Sequence, residues 1–182
     1  MILFSKLEPL NNVSMRLLII VILLLFNFQV KAQSNTEVFL FDLSTEDGVF
    51  ILSNFKNISE NEGYDNQPSF LDNNTILFAS TRNGQTDILK YDLKYNLKSW
   101  LNFSEGSEYS PLKIPKQNAV SAIRLDKDGT QVLRTYDLKN GESEKLIDDI
   151  VIGYHTWFNE NILVSSVLED DYLSLYVSNL NT

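Results

Sequence analysis

Apolar and polar residues alternate in short runs along most of the chain that follows residue 32. The runs are roughly five to eight residues long, and turn residues interrupt them about every 8–12 residues, which is typical of β-strands. Asn83-Gly84 and Asp128-Gly129 each separate two such runs, and so do Asp47-Gly48 and Asn140-Gly141. These dipeptides tolerate the positive φ angles of tight hairpins. The pattern predicts an all-β meander of antiparallel strands without helices.

Four β-rich segments of this meander resemble one another. Each ends in Asp or Asn followed by Leu, and the markers are Asp42, Asp92, Asp137 and Asn179. Their spacings are 92 − 42 = 50, 137 − 92 = 45 and 179 − 137 = 42 residues. This is close to the roughly 40–45 residue period of four-stranded propeller blades. The repeat therefore predicts a β-propeller of four-stranded antiparallel blades.

A second repeated segment lies between these markers. "QPSFLDNNTILFAS" at 67–80 parallels "SPLKIPKQNAVSAI" at 110–123 and "YHTWFNENILVSS" at 154–166. Pro68 and Pro111 correspond, and Phe70 corresponds to Trp157 if the last copy has lost one residue. Taken together, the two repeats place blade strands at about 36–58, 67–103, 110–148 and 154–182.

Only two of these four units have room for four strands. The first has its last two strands and the fourth has its first three, so the chain holds about three blades' worth of sequence. Closed propellers use about 4–8 blades. We therefore expect an incomplete propeller that forms part of a longer one, with a short open array as the alternative.

The unit from Pro68 to Leu93 resembles the TolB-type propeller repeat, a WD-repeat-like unit of exported bacterial proteins. The resemblance rests on a proline, an aromatic, a polar turn, an apolar strand, and then Ser, Arg, Gly and Asp before a second apolar strand. These residues are Pro68, Phe70, Asp72-Asn73-Asn74, Ile76, Phe78, Ser80, Arg82, Gly84, Asp87 and Ile88. The turn departs from the family pattern, since Leu71 replaces a proline and Asn73 replaces a glycine. Asn tolerates positive φ better than other non-glycine residues, so we expect Asn73 to maintain the turn.

The resemblance implies a periplasmic or envelope-associated role in protein–protein interaction. Similar repeats also precede serine peptidase domains or accompany peptidoglycan-binding domains. Propellers carry many unrelated activities, so the repeat is more informative about fold than about function. It favours structural roles for Pro68, Phe70, Phe78, Ser80, Arg82, Gly84, Asp87 and Trp157. The large apolar residues of this set are expected in the core between blades.

Residues 1–32 read as a signal peptide. Met15 and Arg16 precede an apolar run from Leu17 to Phe28, and Val30-Lys31-Ala32 forms an A-x-A-like cleavage site. The run is shorter than the roughly 20 residues of a membrane span. Export with cleavage after Ala32 is expected, with an uncleaved anchor as the alternative; that anchor would be the chain's contact with the membrane. Residues 1–14 have no evident role, and Met15 is a plausible start.

The composition narrows the range of partners. The formal net charge of −9 argues against nucleic acid, because phosphate binding requires an excess of Lys and Arg. The chain has no cysteine, which excludes disulfides, Cys-ligated zinc and lipid attachment to cysteine.

Candidate catalytic and metal-binding residues are few. His155 is the single histidine, and a Ser–His–Asp arrangement would need it as the base. The sequence contains no G-x-S-x-G motif, and His155 aligns with Pro68, so a structural role is expected. "DKDG" at 126–129 looks faintly like a calcium loop but lacks the further acidic ligands, so a turn is expected. No cofactor, metal or catalytic residue is predicted.

The sequence thus predicts an exported, non-enzymatic propeller module that binds envelope proteins of unknown identity. A ligand is expected at one rim of the ring, where the loops between strands converge. The alternative is the propeller part of a larger, serine peptidase-like hydrolase.

Overall fold

A computed structural model describes residues 35–181, where thirteen β-strands make up all of the regular secondary structure. The predicted signal peptide lies outside these residues. The strands are β1 (Phe39–Glu46), β2 (Val49–Asn57), β3 (Asp65–Asp72), β4 (Thr75–Arg82), β5 (Gln85–Asp92), β6 (Leu97–Trp100), β7 (Ser107–Lys113), β8 (Ala119–Leu125), β9 (Gln131–Asp137), β10 (Ser143–Lys145), β11 (Val151–Trp157), β12 (Ile162–Glu169) and β13 (Tyr172–Asn179).

The strands form four antiparallel sheets in which every strand pairs with its neighbour in the sequence. Sheet 1 is β1–β2, sheet 2 is β3–β6, sheet 3 is β7–β10 and sheet 4 is β11–β13. The predicted all-β antiparallel meander is therefore confirmed. No helix within residues 35–181 is long and apolar enough to cross a membrane.

Two-residue turns connect several of these strands. Asn83 (φ 52°) and Gly84 (φ 82°) join β4 to β5, and both have the positive φ that hairpins with the right strand twist require. The turn between β3 and β4 is built differently from the prediction. Asn73 is not among the residues with positive φ, and the Asp72 carboxylate instead accepts a hydrogen bond from the Asn74 backbone N–H at 2.8 Å. A side-chain-to-backbone bond thus replaces the expected left-handed residue.

Residues of the central strands alternate between two buried faces. In β4, Ile76 and Phe78 pack towards sheet 1, whereas Leu77 packs towards sheet 3. In β5, Leu89 packs towards sheet 1 and Ile88 packs towards sheet 3. Because successive side chains of a strand point to opposite faces, sheet 2 is covered on both sides.

Three hydrophobic clusters lie between successive sheets and hold them in a stack. The cluster between sheets 1 and 2 contains Val38, Ile58, Ile76, Phe78, Leu89 and Tyr91. The cluster between sheets 2 and 3 contains Leu77, Ile88, Leu101, Val120, Ala122 and Tyr136. The cluster between sheets 3 and 4 contains Ile123, Leu133, Ile152, Leu163 and Val167. The core is therefore a series of face-to-face sheet contacts, as in stacked propeller blades.

The first strands of sheets 2 and 3 are joined at matching β-bulges. Gln67 (φ 55°) and Ser110 (φ 52°) each have positive φ and each precede a proline. The Ser110 N–H donates to Gln67 Oε1 at 2.8 Å, and the Ser69 hydroxyl donates to the Pro111 carbonyl at 2.5 Å. A left-handed backbone is strained at a non-glycine residue, and the proline that follows restricts that residue further. The two hydrogen bonds offset this strain and also fix one sheet beside the next.

Candidate functional site

The signature arginine and aspartate support the turn between β4 and β5. Arg82 donates from Nε and Nη2 to one oxygen of Asp87, at 2.9 and 2.7 Å. Asp87 is fully buried, and its other oxygen accepts a hydrogen bond from Gln85 at 3.0 Å. The guanidinium group also lies over the rings of Trp100 and Phe103, 5.3 and 4.4 Å from their centroids. All of these contacts of Arg82 are with residues of sheet 2 or of the segment that directly follows it.

Ser80 belongs to a second buried polar group in the same sheet. Its hydroxyl donates to the Asp65 carboxylate, which also accepts a 3.1 Å hydrogen bond from Asn61. Burial raises the pKa of Asp65, and the two hydrogen bonds partly oppose that effect. Asp65 stands three residues before Pro68, at the start of β3.

Sheet 3 repeats this arrangement with Glu108, three residues before Pro111. Its Oε1 accepts hydrogen bonds from the Ser104 hydroxyl at 2.5 Å and from the Tyr136 hydroxyl at 3.1 Å. Glu108 is fully buried, and desolvation raises its pKa against the effect of these bonds. The sequence analysis did not single out either buried acid. The signal that could have found them is their matching position, three residues before Pro68 and Pro111.

The aromatic members of the signature have different surroundings. Phe78 is fully buried between sheets 1 and 2, and Trp157 is half-buried against the cluster between sheets 3 and 4. Phe70 is 64% exposed, so its expected place in the inter-blade core is wrong. It shares a small apolar cavity of about 140 Å³ with Pro68, which lies on the surface of β3. The ring pairs across the strands with Ile76, on the side of sheet 2 that faces sheet 1, but it lies at the margin of that junction and stays largely exposed.

The single histidine lies in a buried contact between sheets 3 and 4. His155 Nε2 is 2.7 Å from the Ser121 hydroxyl oxygen, which also accepts a 2.9 Å hydrogen bond from Trp157 Nε1. Burial lowers the pKa of His155 to about 4. Its Nδ1 has no hydrogen-bond partner among residues 35–181, whereas the base of a catalytic triad is oriented by an acid at that atom. This geometry joins two sheets rather than exposing an activated serine.

Acidic residues of the "DKDG" stretch form a turn between β8 and β9. The Gly129 N–H donates to the Asp126 carbonyl at 2.9 Å, and the Asp126 carboxylate pairs with Arg124 at 2.6 Å. Within residues 35–181, no group of three or more His, Cys, Asp or Glu side chains is placed to hold a metal ion.

Three exposed aromatic residues lie at one edge of the stacked sheets, which we term the turn rim; Phe103 and Tyr172 are exposed at the opposite edge. This edge carries the β3–β4 and β5–β6 turns of sheet 2, the β7–β8 and β9–β10 turns of sheet 3, and the β11–β12 turn of sheet 4. Tyr95 lies in the β5–β6 turn and Phe158 in the β11–β12 turn, and both are largely exposed. Phe70 lies near the end of β3, beside the β3–β4 turn at the same edge. Exposed aromatic side chains are typical of protein-binding surfaces.

Sheet 1 has an exposed apolar face, which we term the aromatic end face. Its opposite face packs on sheet 2 through Val38 and Leu40. Phe55 stacks on Phe39, with ring centroids 4.9 Å apart, and Leu43 pairs with Leu52 on the neighbouring strand. The residues of the aromatic end face are between 40% and 74% exposed, and they are Phe39, Phe41, Leu43, Phe50, Leu52 and Phe55.

Sheet 4 has a corresponding surface at the other end of the stack, which we term the aliphatic end face. Leu163 and Val167 of β12 point inwards, so the alternate residues of that strand point outwards. Cross-strand pairs Leu168–Leu173, Ser166–Leu175 and Val164–Val177 share this outer side. Its principal residues are between 51% and 78% exposed, and they are Leu168, Leu173, Leu175 and Val177.

Two solved structures are similar to this chain in fold. TolB from Acinetobacter baumannii superimposes with a TM-score of 0.58 at 16% identity, over 81% of this chain and 42% of its own. A TolB-assigned protein from Agrobacterium tumefaciens gives a TM-score of 0.59 at 14% identity, over 78% of this chain and 60% of its own. Comparison with protein-family models and with curated proteins gave no match. The chain has the TolB-type propeller fold and spans about half the length of these structures, which confirms the predicted resemblance and incomplete propeller at the level of fold.

Proposed function

We propose that this TolB-type propeller segment is an exported, non-enzymatic module that binds another protein of the cell envelope through its turn rim. The observation that carries the proposal is the set of exposed aromatic side chains at that edge, Phe70, Tyr95 and Phe158. Aromatic residues combine a large contact area with few rotatable bonds, and they dominate the energetics of protein interfaces.

The chemistry of the described residues agrees with binding rather than catalysis. The most reactive pair, Ser121 and His155, is buried between two sheets, and Ser121 also bonds to the Trp157 indole. The buried acids Asp65 and Glu108 are held by hydrogen bonds from their own blades. Each of these groups is used to join strands or sheets, whereas the rim side chains Phe70, Tyr95 and Phe158 are 61–77% exposed.

Export rests on the sequence from Met15 to Gln33 and on the implied relationship to periplasmic propellers. A fusion of alkaline phosphatase after Thr182 tests it, because that enzyme becomes active only outside the cytoplasm. We expect activity in intact cells, a mature N-terminus at Gln33, and loss of activity when Leu23 and Leu24 are both replaced by Arg. A cytoplasmic, uncleaved chain would contradict export.

In-cell photo-cross-linking tests the binding role of the turn rim. A photo-reactive phenylalanine analogue replaces Tyr95 or Phe158, and Phe103 is the matched control because it is exposed but follows β6 at the opposite edge. We expect one product of defined mass, containing a second envelope protein, from the two rim positions and not from the control. Its identity is then checked by titrating the two purified proteins. Equal labelling from all three positions, or no product from either rim position, would refute the proposal.

A further inference from the structure

We infer that mild acid opens the junction between sheets 3 and 4 through protonation of His155, and that this opening weakens binding at the part of the turn rim that carries Phe158. The inference rests on the proposed function, because it names a regulation of that same rim. The residues that carry it lie between two successive sheets of the chain.

His155 and Trp157 fasten the rim end of sheet 4 to sheet 3. His155 Nε2 lies 2.7 Å from the Ser121 hydroxyl oxygen of β8, and the Trp157 indole donates to the same oxygen at 2.9 Å. Trp157 also packs against the hydrophobic cluster between the two sheets. Phe158 directly follows it in the chain, so the position of this rim aromatic depends on whether β11 stays against β8.

The closed junction offers no place for a charged imidazole. A protonated ring donates from both nitrogens, but Nδ1 of the buried His155 has no hydrogen-bond partner among residues 35–181. Ser165, which pairs with His155 across β11 and β12, is also buried, and its hydroxyl has no partner there either. An unpaired donor and an unpaired charge both cost free energy when they are buried. Protonation therefore favours a state in which the junction opens and water reaches the ring.

No acidic side chain within residues 35–181 is placed to pair with that charge. β8 presents no titratable group to the junction, and those presented by the other strands around β11 are Tyr109 of β7, Asp137 of β9 and Glu169 of β12. Asp137 and Glu169 lie at strand ends and accept hydrogen bonds from the β9–β10 turn and from β13. At the rim, Glu160 is paired with Lys116. The titratable groups of these strands that point away from the junction are Tyr154, Glu108, Lys113, Arg124, Arg134 and Tyr136.

The other two junctions contain buried acids that respond to acid in the opposite sense. Asp65 pairs with Ser80 on the side of sheet 2 that faces sheet 1, and Glu108 bonds to Tyr136 of the cluster between sheets 2 and 3. Burial raises the pKa of both carboxyl groups, so their protonation favours the closed fold as the pH falls. The single histidine lies in the third junction, which is therefore the one that acid should open.

The size of the response follows from the pKa of His155 in the two states. Burial lowers it to about 4 in the closed junction, and an opened junction restores the ordinary value of 6.5. Because the open state binds the proton more tightly, the ratio of open to closed molecules should rise about 30-fold between pH 7.5 and pH 5.0. A junction that is open in about 3% of molecules at neutral pH, as minor states commonly are, becomes open in about half of them.

Native-state hydrogen exchange of the purified full chain tests the opening. The protection factors of amides in β11 and β12 should fall about 30-fold from pH 7.5 to pH 5.0. Their exchange at pH 5.0 should depend less on added urea than that of β4 and β5, because a local opening exposes less surface than global unfolding. Equal protection and equal urea dependence in all four strands would mean that acid acts only by unfolding the whole chain, and would overturn the inference.

Two variants separate the histidine from other effects of acid. His155→Gln does not titrate in this range and should abolish the 30-fold response of β11 and β12. Adding Tyr154→His returns a histidine one residue away, at a position that is 62% exposed, and should not restore the response. A response that persists in His155→Gln, or that returns in the double variant, would contradict the assigned role of His155.

Photo-cross-linking in cells resuspended at pH 7.5 or pH 5.0 tests the regulation of the rim. The product from the probe at Phe158 should fall about twofold at pH 5.0 relative to the product from the probe at Tyr95, which lies on sheet 2. In His155→Gln the ratio of the two products should not change. A constant ratio in the unaltered chain, or an equal change in the variant, would overturn the regulation. If neither position gives a product, the proposed function fails, and the hydrogen-exchange result still decides whether the junction opens.

Discussion

The buried histidine makes the stability of this fold sensitive to mild acid. Burial lowers the pKa of His155 from its ordinary 6.5 to about 4 in the folded chain. Between these two values the unfolded chain binds a proton and the folded chain does not, so stability is lost as the pH falls. The effect is complete below about pH 4, where the difference in pKa corresponds to about 3 kcal/mol.

The expected loss at an experimentally convenient pH follows from the same two values. Between pH 7.5 and pH 5.0, protonation of the unfolded chain at His155 should lower the free energy of unfolding by about 2 kcal/mol. Burial raises the pKa values of Asp65 and Glu108, and raised carboxyl pKa values have the opposite sign: they favour the folded chain as the pH falls. The histidine contribution must therefore be isolated by comparison with a variant that lacks it.

The assay combines urea unfolding of the unaltered chain and of His155→Gln at both pH values. The difference between the two free energies of unfolding should change by about 2 kcal/mol in favour of the variant at pH 5.0. Because His155 is the only histidine, its imidazole signals in an NMR titration need no assignment, and they give the folded-state pKa directly. A pKa at or above 6.5, or a pH-independent difference between the proteins, would refute the reasoning.

Three further substitutions test the packing and the buried polar groups, each by urea unfolding. Arg82→Met should lower the free energy of unfolding by about 3 kcal/mol, because it leaves the buried Asp87 carboxylate without its ion-pair partner. Lys116→Met removes an exposed ion pair and should lower it by less than about 0.5 kcal/mol. Equal losses for the two variants would contradict this difference. Glu108→Gln should gain stability relative to the unaltered chain as the pH rises above 4.5, because the raised pKa of the acid makes its ionisation unfavourable in the fold; a pH-independent difference would show that ionisation does not matter there. Phe78→Ala should cost about 3–5 kcal/mol and Phe70→Ala under about 0.5 kcal/mol, and comparable costs would return Phe70 to the core.

The order of strands and turns could be predicted from the sequence because it depends on local chemistry. Alternating apolar residues and Asn-Gly or Asp-Gly pairs determine hairpins over a few residues, and Asn83-Gly84 adopts the expected backbone. The β3–β4 turn was predicted less well. The side chain of Asp72 offered an alternative bond that the propensity of Asn73 does not reveal.

The surroundings of particular side chains depended on contacts between sheets, and sequence patterns do not determine those. Phe70 and Phe78 both looked like core residues, and Phe70 does pair with Ile76 on the side that faces sheet 1, but it lies near the end of β3 and only Phe78 is buried. The buried acids Asp65 and Glu108 resembled ordinary polar residues beside a turn. The end faces could not be recognised either, because an outward-facing Leu in a strand has the same local sequence as an inward-facing one.

The connection of every strand to its sequence neighbour has a consequence for how the chain acquires its structure. Each of sheets 1 to 4 can pair all the strands that it contains as soon as its own segment is available, without waiting for a distant strand. Because every strand pairing joins neighbours in the sequence, the loops that must close are short and their closure cost is small. This connectivity also suits vectorial folding, in which the N-terminal part of the chain becomes available first and each new sheet packs against the sheet that formed before it. A chain interrupted after Lys145 should therefore retain its first three sheets and lose the burial that sheet 4 gives to Ile123 and Leu133.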